Sequence, residues 1–430
     1  MINNFDSDFL ITFLKSKIHL ILLVLIFALF VFTRFYELEL RLGFDWDQTD
    51  NAWRALWLIK EGNFPLHGMV AKGSSGFFIG PLYYYYVSIF YFLTDFSPIA
   101  SGVIAGVTST ITFFSLYFVG KNLFSINVGL LAVFIFSVSN YVITYDRVQW
   151  PVNFILPISL WAFYFLYKFL QGNYRNLPYL AVMLGLSLHV HFTSVFYFLI
   201  IFFCLPIFPW SRKIFKYILL SITIIFVFLI PNIIDSLILN SQQAKNLTTY
   251  ISNYYHGFHG RRVMQLAGDA FIEPDLILSN PSLGFLKYLL LPLFSLAYLY
   301  KNLKRQRIIL VYLATLWFLV PWLVFSVYSG EISNYYFALN RPVAILIFSY
   351  LSVRIFNIKN LFPKIAISAF WLYFAYSNMV TFLGMENGSY LGHKQRVEEA
   401  ISKGEEIGFY EGVPEGYIYR VEILKNVKKN

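Results

Sequence analysis

The stretch IHLILLVLIFALFVFTRFY, Ile18 to Tyr36, carries no charge before Arg34 and, as a helix, is long enough to cross a hydrocarbon core of about 30 Å. A helix satisfies its own backbone hydrogen bonds, which lipid cannot do for it. Lys15 and Lys17 precede the run and no small-residue cleavage site follows it, so it reads as a retained first span rather than a removed signal peptide. Comparable runs recur to the end of the chain. Composition agrees, with 58% hydrophobic and 20% aromatic residues and only 13% charged, against about 25% charged in ordinary soluble domains. The expectation is an all-α polytopic membrane protein embedded in the lipid bilayer. Its formal charge of +10 is then assigned to cytoplasmic loops facing anionic lipid and not to nucleic acid. The single cysteine, Cys204, lies in an apolar run and allows no disulfide within the chain.

Basic clusters set the topology. Lys15/Lys17, Lys121, Lys168/Arg175, Arg212/Lys213/Lys216, Lys301/Lys304/Arg305/Arg307 and Arg354/Lys359/Lys364 all fall on the cytoplasmic side if two choices are made. Pro178–Pro209 is split into two short helices with His189 and His191 at the outer turn, and Pro81–Leu93 (PLYYYYVSIFYFL) lies in the outer interface. The result is about eleven spans, near 18–36, 98–119, 127–144, 152–168, 178–189, 192–209, 217–234, 285–300, 308–327, 342–356 and 365–383. Residues 1–383 form the transmembrane domain, with a first outer loop at 37–97 and a large outer loop at 235–284. Residues 384–430 form a short extracytoplasmic tail, read as a helix (Gln395–Gly404) and a strand (Tyr417–Leu424), a small αβ cap.

Ionisable groups in a membrane protein gather where water or substrate is handled, and here they gather in the outer segments. In FDWDQTDNAWRALWLIKEGNFPLHG (Phe44–Gly68), a helix starts at Asp45 or Asp47 and stops at Gly62. Asp47, Asp50 and Arg54 share one stripe, and Trp53, Leu56 and Trp57 occupy the side turned to lipid or neighbouring spans. Two readings stand side by side: carboxylates presented to a cavity, or Asp47 as a cap with Asp50 paired to Arg54. Asp45-x-Asp47 also has a spacing that can hold a divalent cation.

In YDRVQWPVN (Tyr145–Asn153), Arg147 either pairs with Asp146 or offers its guanidinium to a phosphate. His189 and His191 are base, ligand, relay or simply a polar turn. The loop YYHGFHGRR (Tyr254–Arg262), with His256, His259 and Arg261, suits a sugar or phosphate, or is a solvated loop. In EISNYYFALNRP (Glu331–Pro342), Tyr335, Tyr336 and Arg341 stand at the mouth of a span, where Arg341 grips a lipid phosphate or snorkels.

The order of these features, D-Q-x-x-x-A with a G-x-F-P turn, then G-P-L-Y-Y-Y, then Y-D-R-x-x-W-P-x-N, then a histidine at a short-helix turn, resembles the family 39 glycosyltransferases. These share the C-type (GT-C) fold with protein O-mannosyltransferases and the lipid A aminoarabinose transferase. The likeness runs from about Phe44 to Phe198, with a later Y-Y-x-x-x-x-R-P segment that fits. It implies inverting transfer of a sugar, hexosyl or pentosyl, from a polyprenyl-phosphate carrier to a hydroxyl of a protein, lipid or polysaccharide acceptor, on the extracytoplasmic face of the cell membrane. The first-loop aspartate acts as base in that family, which points to Asp47. The family's Asp-Glu pair is Asp47-Gln48 here. A further acid of the family falls at Asn153, with Asp146 as its candidate substitute, and Gly80 stands where some relatives carry a lysine. Tyr83–Tyr86, Tyr84 among them, are expected on the rim of the carrier groove. No cofactor is expected to be obligatory, with a cation at Asp45/Asp47 as the open option. A transporter or flippase for a lipid-linked or small polar substrate is the alternative; such proteins keep ionisable residues near the midplane, often in repeated halves.

Overall fold

A computed structural model describes residues 4–73, 75–238, 242–255, 257–271, 286–300, 302–408 and 413–429. The described chain is helical with two isolated β-bridges. In order, the helices are α1 (Asn4–Phe35), α2 (Trp46–Lys60), α3 (Leu82–Leu93), α4 (Ile99–Leu123), α5 (Ile126–Val138), α6 (Asn140–Asp146), α7 (Ile155–Leu170), α8 (Asn176–Ser187), α9 (Val195–Cys204), α10 (Ile214–Ile238), α11 (Gln243–Tyr254), α12 (Gly260–Phe271), α13 (Leu286–Leu299), α14 (Arg305–Ser326), α15 (Arg341–Phe356), α16 (Leu361–Leu383), α17 (Ser389–Lys403) and α18 (Pro414–Lys429).

Each of the expected spans falls on a helix or a pair of helices. Six helices among the described residues are long and apolar enough to cross a membrane alone, or seven if α5 and α6, bent by 70° at Ser139, count as one. Outward-facing Leu25, Phe215, Leu219 and Leu372 are more than half exposed, as lipid-facing side chains must be in the absence of a hydrophobic drive between helices. Close approach is instead built from small residues. A Cβ on Gly129 of α5 would stand 2.7 Å from the Tyr117 carbonyl oxygen of α4, so only glycine lets these two helices meet there.

The break in the α5–α6 span leaves carbonyls without helical donors. Arg34, at the end of α1, donates to Phe136 O (2.8 Å) and Ser137 O (3.3 Å), and pairs with Asp146 at 3.0 Å. Arg147 returns the favour by donating to Thr33 O, Arg34 O and Tyr36 O, the loose end of α1. Cationic groups at helix C-termini also complement the dipole. Asp146 and Arg147 are thus a reciprocal clasp between α1 and the broken span.

The tail differs from expectation, because residues 417–424 form part of α18 and not a strand. Tyr417, Ile418 and Val421 are all buried, a helical spacing of i, i+1, i+4 where a strand would bury alternate residues. They pack with Phe44, Trp53, Leu56 and Tyr91 in a second core. Trp53 and Leu56 therefore face the C-terminal helices and α3 instead of lipid.

Candidate active site

The start of α2 is fixed by side chains that the sequence places within one turn. Asp45 N–H donates to Gln48 Oε1 at 3.0 Å, and Thr49 N–H closes the turn on Asp45 O. Gln48 also donates through Nε2 to Gln149 O at 2.8 Å. This bridge needs one donor and one acceptor, which an amide has and a carboxylate lacks. A glutamate at this position would lose the bond to Gln149 O.

The same bridge holds the 147–151 turn over α2, where Trp150 donates its indole N–H to Asp47 Oδ2. Burial raises the Asp47 pKa above the ordinary carboxylate value; the Trp150 bond pulls it down in part and the charge of Asp45 pushes it up. Asp47 opens onto a cavity of about 580 Å³ that is also lined by Trp46, Lys72, Trp150, His191, Tyr335 and Tyr336, a volume within the usual range for ligand sites.

Lys72 is carried by a hairpin-like excursion. Gly68 N–H donates to Ile79 O (2.7 Å), Ile79 N–H to Met69 O (3.1 Å) and Ala71 N–H to Phe77 O (2.9 Å). The ammonium lies 5.2 Å from the Tyr336 ring centroid and 3.4 Å from Glu331 O. His191 Nδ1 lies 3.0 Å from Thr193 Oγ1 and 3.3 Å from Thr193 N, which fixes the ring in the cavity wall. Burial, with Lys72 nearby, pushes its pKa down to about 3, so the ring stays neutral.

Of the residues singled out from sequence, Asp47, His191, Tyr335 and Tyr336 meet in this cavity. Asp50 does not line it; it accepts from Tyr84 Oη (2.8 Å) and pairs with Arg54 at 3.5 Å, tying α2 to α3. Asp146 and Arg147 belong to the clasp, and neither lines the cavity. Asn153 donates to Val148 O (2.8 Å) and Tyr145 O (3.2 Å), pinning the turn beneath Trp150. His189 is a latch: Nδ1 faces Leu82 N–H at 3.4 Å, and Nε2 contacts Phe228 O at 3.0 Å. A Cβ on Gly80 would stand 1.8 Å from His189 Nδ1, which excludes a lysine at that position in this chain.

Arg341 is buried with its guanidinium 5.0 and 5.2 Å from the Tyr141 and Tyr145 rings. His259 and Arg261 are exposed and do not line the cavity, and His256 lies outside the described residues. Tyr83 and Tyr84 are buried, whereas Ile89, Phe92 and Leu93 form the exposed face of α3, so these two tyrosines face the protein and not a lipid rim. Among the described residues no three His, Cys, Asp or Glu side chains gather where a metal could bind, and Asp45 faces His393 at 3.7 Å.

Lys72, Trp150 and Trp46 line the cavity without a site signal of their own in the sequence pattern. Trp150 was within reach, as the tryptophan of Y-D-R-x-x-W-P; Lys72 shows only as a lone cation in the glycine- and serine-rich VAKGSSG stretch.

Residues 79–234 match the family model described as dolichyl-phosphate-mannose-protein mannosyltransferase. The match includes Trp150 and both histidines and begins after Asp47 and Lys72. No curated protein matches the chain by sequence. The structure is similar to that of ArnT from Cupriavidus metallidurans bound to undecaprenyl phosphate, with a TM-score of 0.57 and 10% identity over 93% of this chain and 75% of that one. It is also similar to the Archaeoglobus fulgidus oligosaccharyltransferase tethered with an acceptor peptide, with a TM-score of 0.56 and 11% identity over 95% of this chain and 63% of that one. The fold is therefore that of the C-type membrane glycosyltransferases. The family match and the fold together bear out the resemblance drawn from the sequence.

Proposed function

We propose that this protein is a glycosyltransferase that moves a sugar from a polyprenyl-phosphate carrier to an acceptor hydroxyl, with Asp47 as general base. The observation that carries the reading is the Asp47 carboxylate, desolvated, oriented by Trp150 and sharing one cavity with the Lys72 ammonium. A hydroxyl is a poor nucleophile until a base takes its proton. In the proposed step the acceptor oxygen bonds to the anomeric carbon as the bond from that carbon to the phosphate oxygen breaks. Its proton passes to Asp47, and the electron pair leaves with polyprenyl phosphate. Lys72 stabilises the charge of that leaving group. The neutral His191 lines the same cavity without adding charge. A single displacement inverts the anomeric carbon.

The extracytoplasmic side is supported by the direction of the helices. α7 and α15 start beside cavity residues and end on Lys168 and Arg354, and α4 ends on Lys121. The positive-inside rule puts those ends in the cytoplasm and the cavity outside.

The test incubates purified protein with a panel of labelled polyprenyl-phosphate sugars and measures release of polyprenyl phosphate. Asp47→Asn keeps the shape and an acceptor for Trp150 but removes the base, and is expected to lower turnover about 10²- to 10⁴-fold with an unchanged melting temperature. Wild-type turnover in that variant refutes the assignment.

A further inference from the structure

A second cavity, of about 370 Å³, lies on the other side of Lys72 and Gly73, which it shares with the Asp47 cavity. Its remaining wall is Ser75 and one face of α11, namely Asn246, Thr249 and Asn253, flanked by Tyr250 and Tyr254. The helical period puts Asn246, Thr249 and Asn253 on one stripe and sends Leu247 and Ile251, both exposed, the opposite way. The lining contains two amides, two hydroxyls, two phenol rings and one ammonium, with neither a carboxylate nor an aliphatic side chain among the described residues.

The wall is held in place. Asn246 donates through Nδ2 to Gly76 O at 2.7 Å, so its amide oxygen is presented at a fixed position. Tyr250 is bonded through its hydroxyl to Tyr328, with its ring 5.3 Å from Phe77 and 4.6 Å from Tyr254.

We propose that this groove is the acceptor subsite and that it takes a saccharide. The inference rests on the transferase reading of the Asp47 cavity and names the acceptor class for it. Amides and hydroxyls are both donors and acceptors, and so are sugar hydroxyls. Tyrosine rings give the apolar C–H face of a pyranose a flat partner with a polar edge. A phosphorylated headgroup calls for several cations, and this groove has one, which the donor phosphate already needs. A saccharide seated along α11 points a hydroxyl past Lys72 to Asp47. That hydroxyl's oxygen forms the new bond to the donor's anomeric carbon, its proton goes to Asp47, and polyprenyl phosphate leaves with the electron pair of the broken bond.

The experiment reads binding without donor, so its outcome is separate from that of the transfer assay. Full-length protein in detergent is applied to an array of defined oligosaccharides and to an array of serine- and threonine-containing peptides, and is floated with vesicles carrying a diglucosyl lipid or plain phospholipid. Retention on oligosaccharides or on diglucosyl vesicles is expected, and the comparison tells a free glycan from a glycolipid headgroup. Asn253→Trp and Thr249→Trp fill the groove from exposed positions and are expected to weaken retention by about tenfold or more, the loss of one or two hydrogen bonds. Thr248→Trp, off the groove on the same helix, is expected to bind as wild type, and melting temperatures are compared for all three. Retention on peptides alone, no retention on any saccharide, or retention unmoved by both groove-filling variants at unchanged melting temperature overturns the proposal. Saccharide retention without polyprenyl phosphate release from any donor removes the transferase reading and leaves the groove a saccharide site.

Discussion

Asp146 tests whether an acid beside the candidate site works in the chemistry or in the scaffold. Its carboxylate and the Arg34 guanidinium are 3% and 0% exposed and 3.0 Å apart. Asp146→Asn keeps the shape but leaves the Arg34 charge buried without its counterion, a loss of about 3–5 kcal/mol when one partner of a buried pair is removed. Replacing both, as Arg34→Met with Asp146→Leu, removes the stranded charge. It still forfeits the guanidinium's bonds to Phe136 O and Ser137 O, a cost of about 1–2 kcal/mol. The double variant is therefore expected to melt above the Asp146→Asn single variant and below wild type. Thermal unfolding in detergent gives that order, and release of polyprenyl phosphate per folded molecule, measured well below the transition, is expected to stay near wild type in both. An Asp146→Asn protein that melts like wild type yet transfers no sugar refutes the clasp and returns Asp146 to the chemistry.

Because burial raises the Asp47 pKa and a general base works deprotonated, turnover is expected to fall as pH drops through a value above that of an ordinary aspartate. Trp150→Phe removes a bond to the charged form, so this acidic limb should move to higher pH; a limb that stays in place or moves down contradicts the assignment. Lys72→Met is expected to weaken donor binding about 10- to 100-fold, the range of one charge-assisted bond, in a donor titration at fixed salt, while Arg261→Gln should leave it unchanged. His191, with its pKa pushed down to about 3, binds fewer protons folded than unfolded between that value and the unperturbed value of about 6.5. Stability should then rise with pH across this window and be lost on acidification, and His191→Gln should flatten that part of a melting-temperature profile. Gly80→Ala forces a Cβ into the His189 ring and is expected to lower the melting temperature and yield, as clashes in packed sites do; a fully stable variant refutes the latch.

The sequence by itself determined the membrane class and the helical character of the chain. These follow from composition and local period, which depend on neighbours along the chain. It also pointed to Asp47, through its place in an ordered series of short motifs. What the tertiary structure decided is which polar residues share space with it. Asp146 and Arg147 look from sequence like a site, but the break at Ser139 leaves carbonyls that draw Arg34 to Asp146, and the end of α1 draws Arg147. Tyr417 and Ile418 read as a strand because β-branched and aromatic residues suit both periods over a few positions, and only the second core behind α2 selects the helix. Lys72 had no local signal, since a lysine among glycines and serines is ordinary until the hairpin folds back. The pairing of residues 69 and 79 brings it to Tyr336, more than two hundred residues on, and that contact is a property of the closed bundle alone.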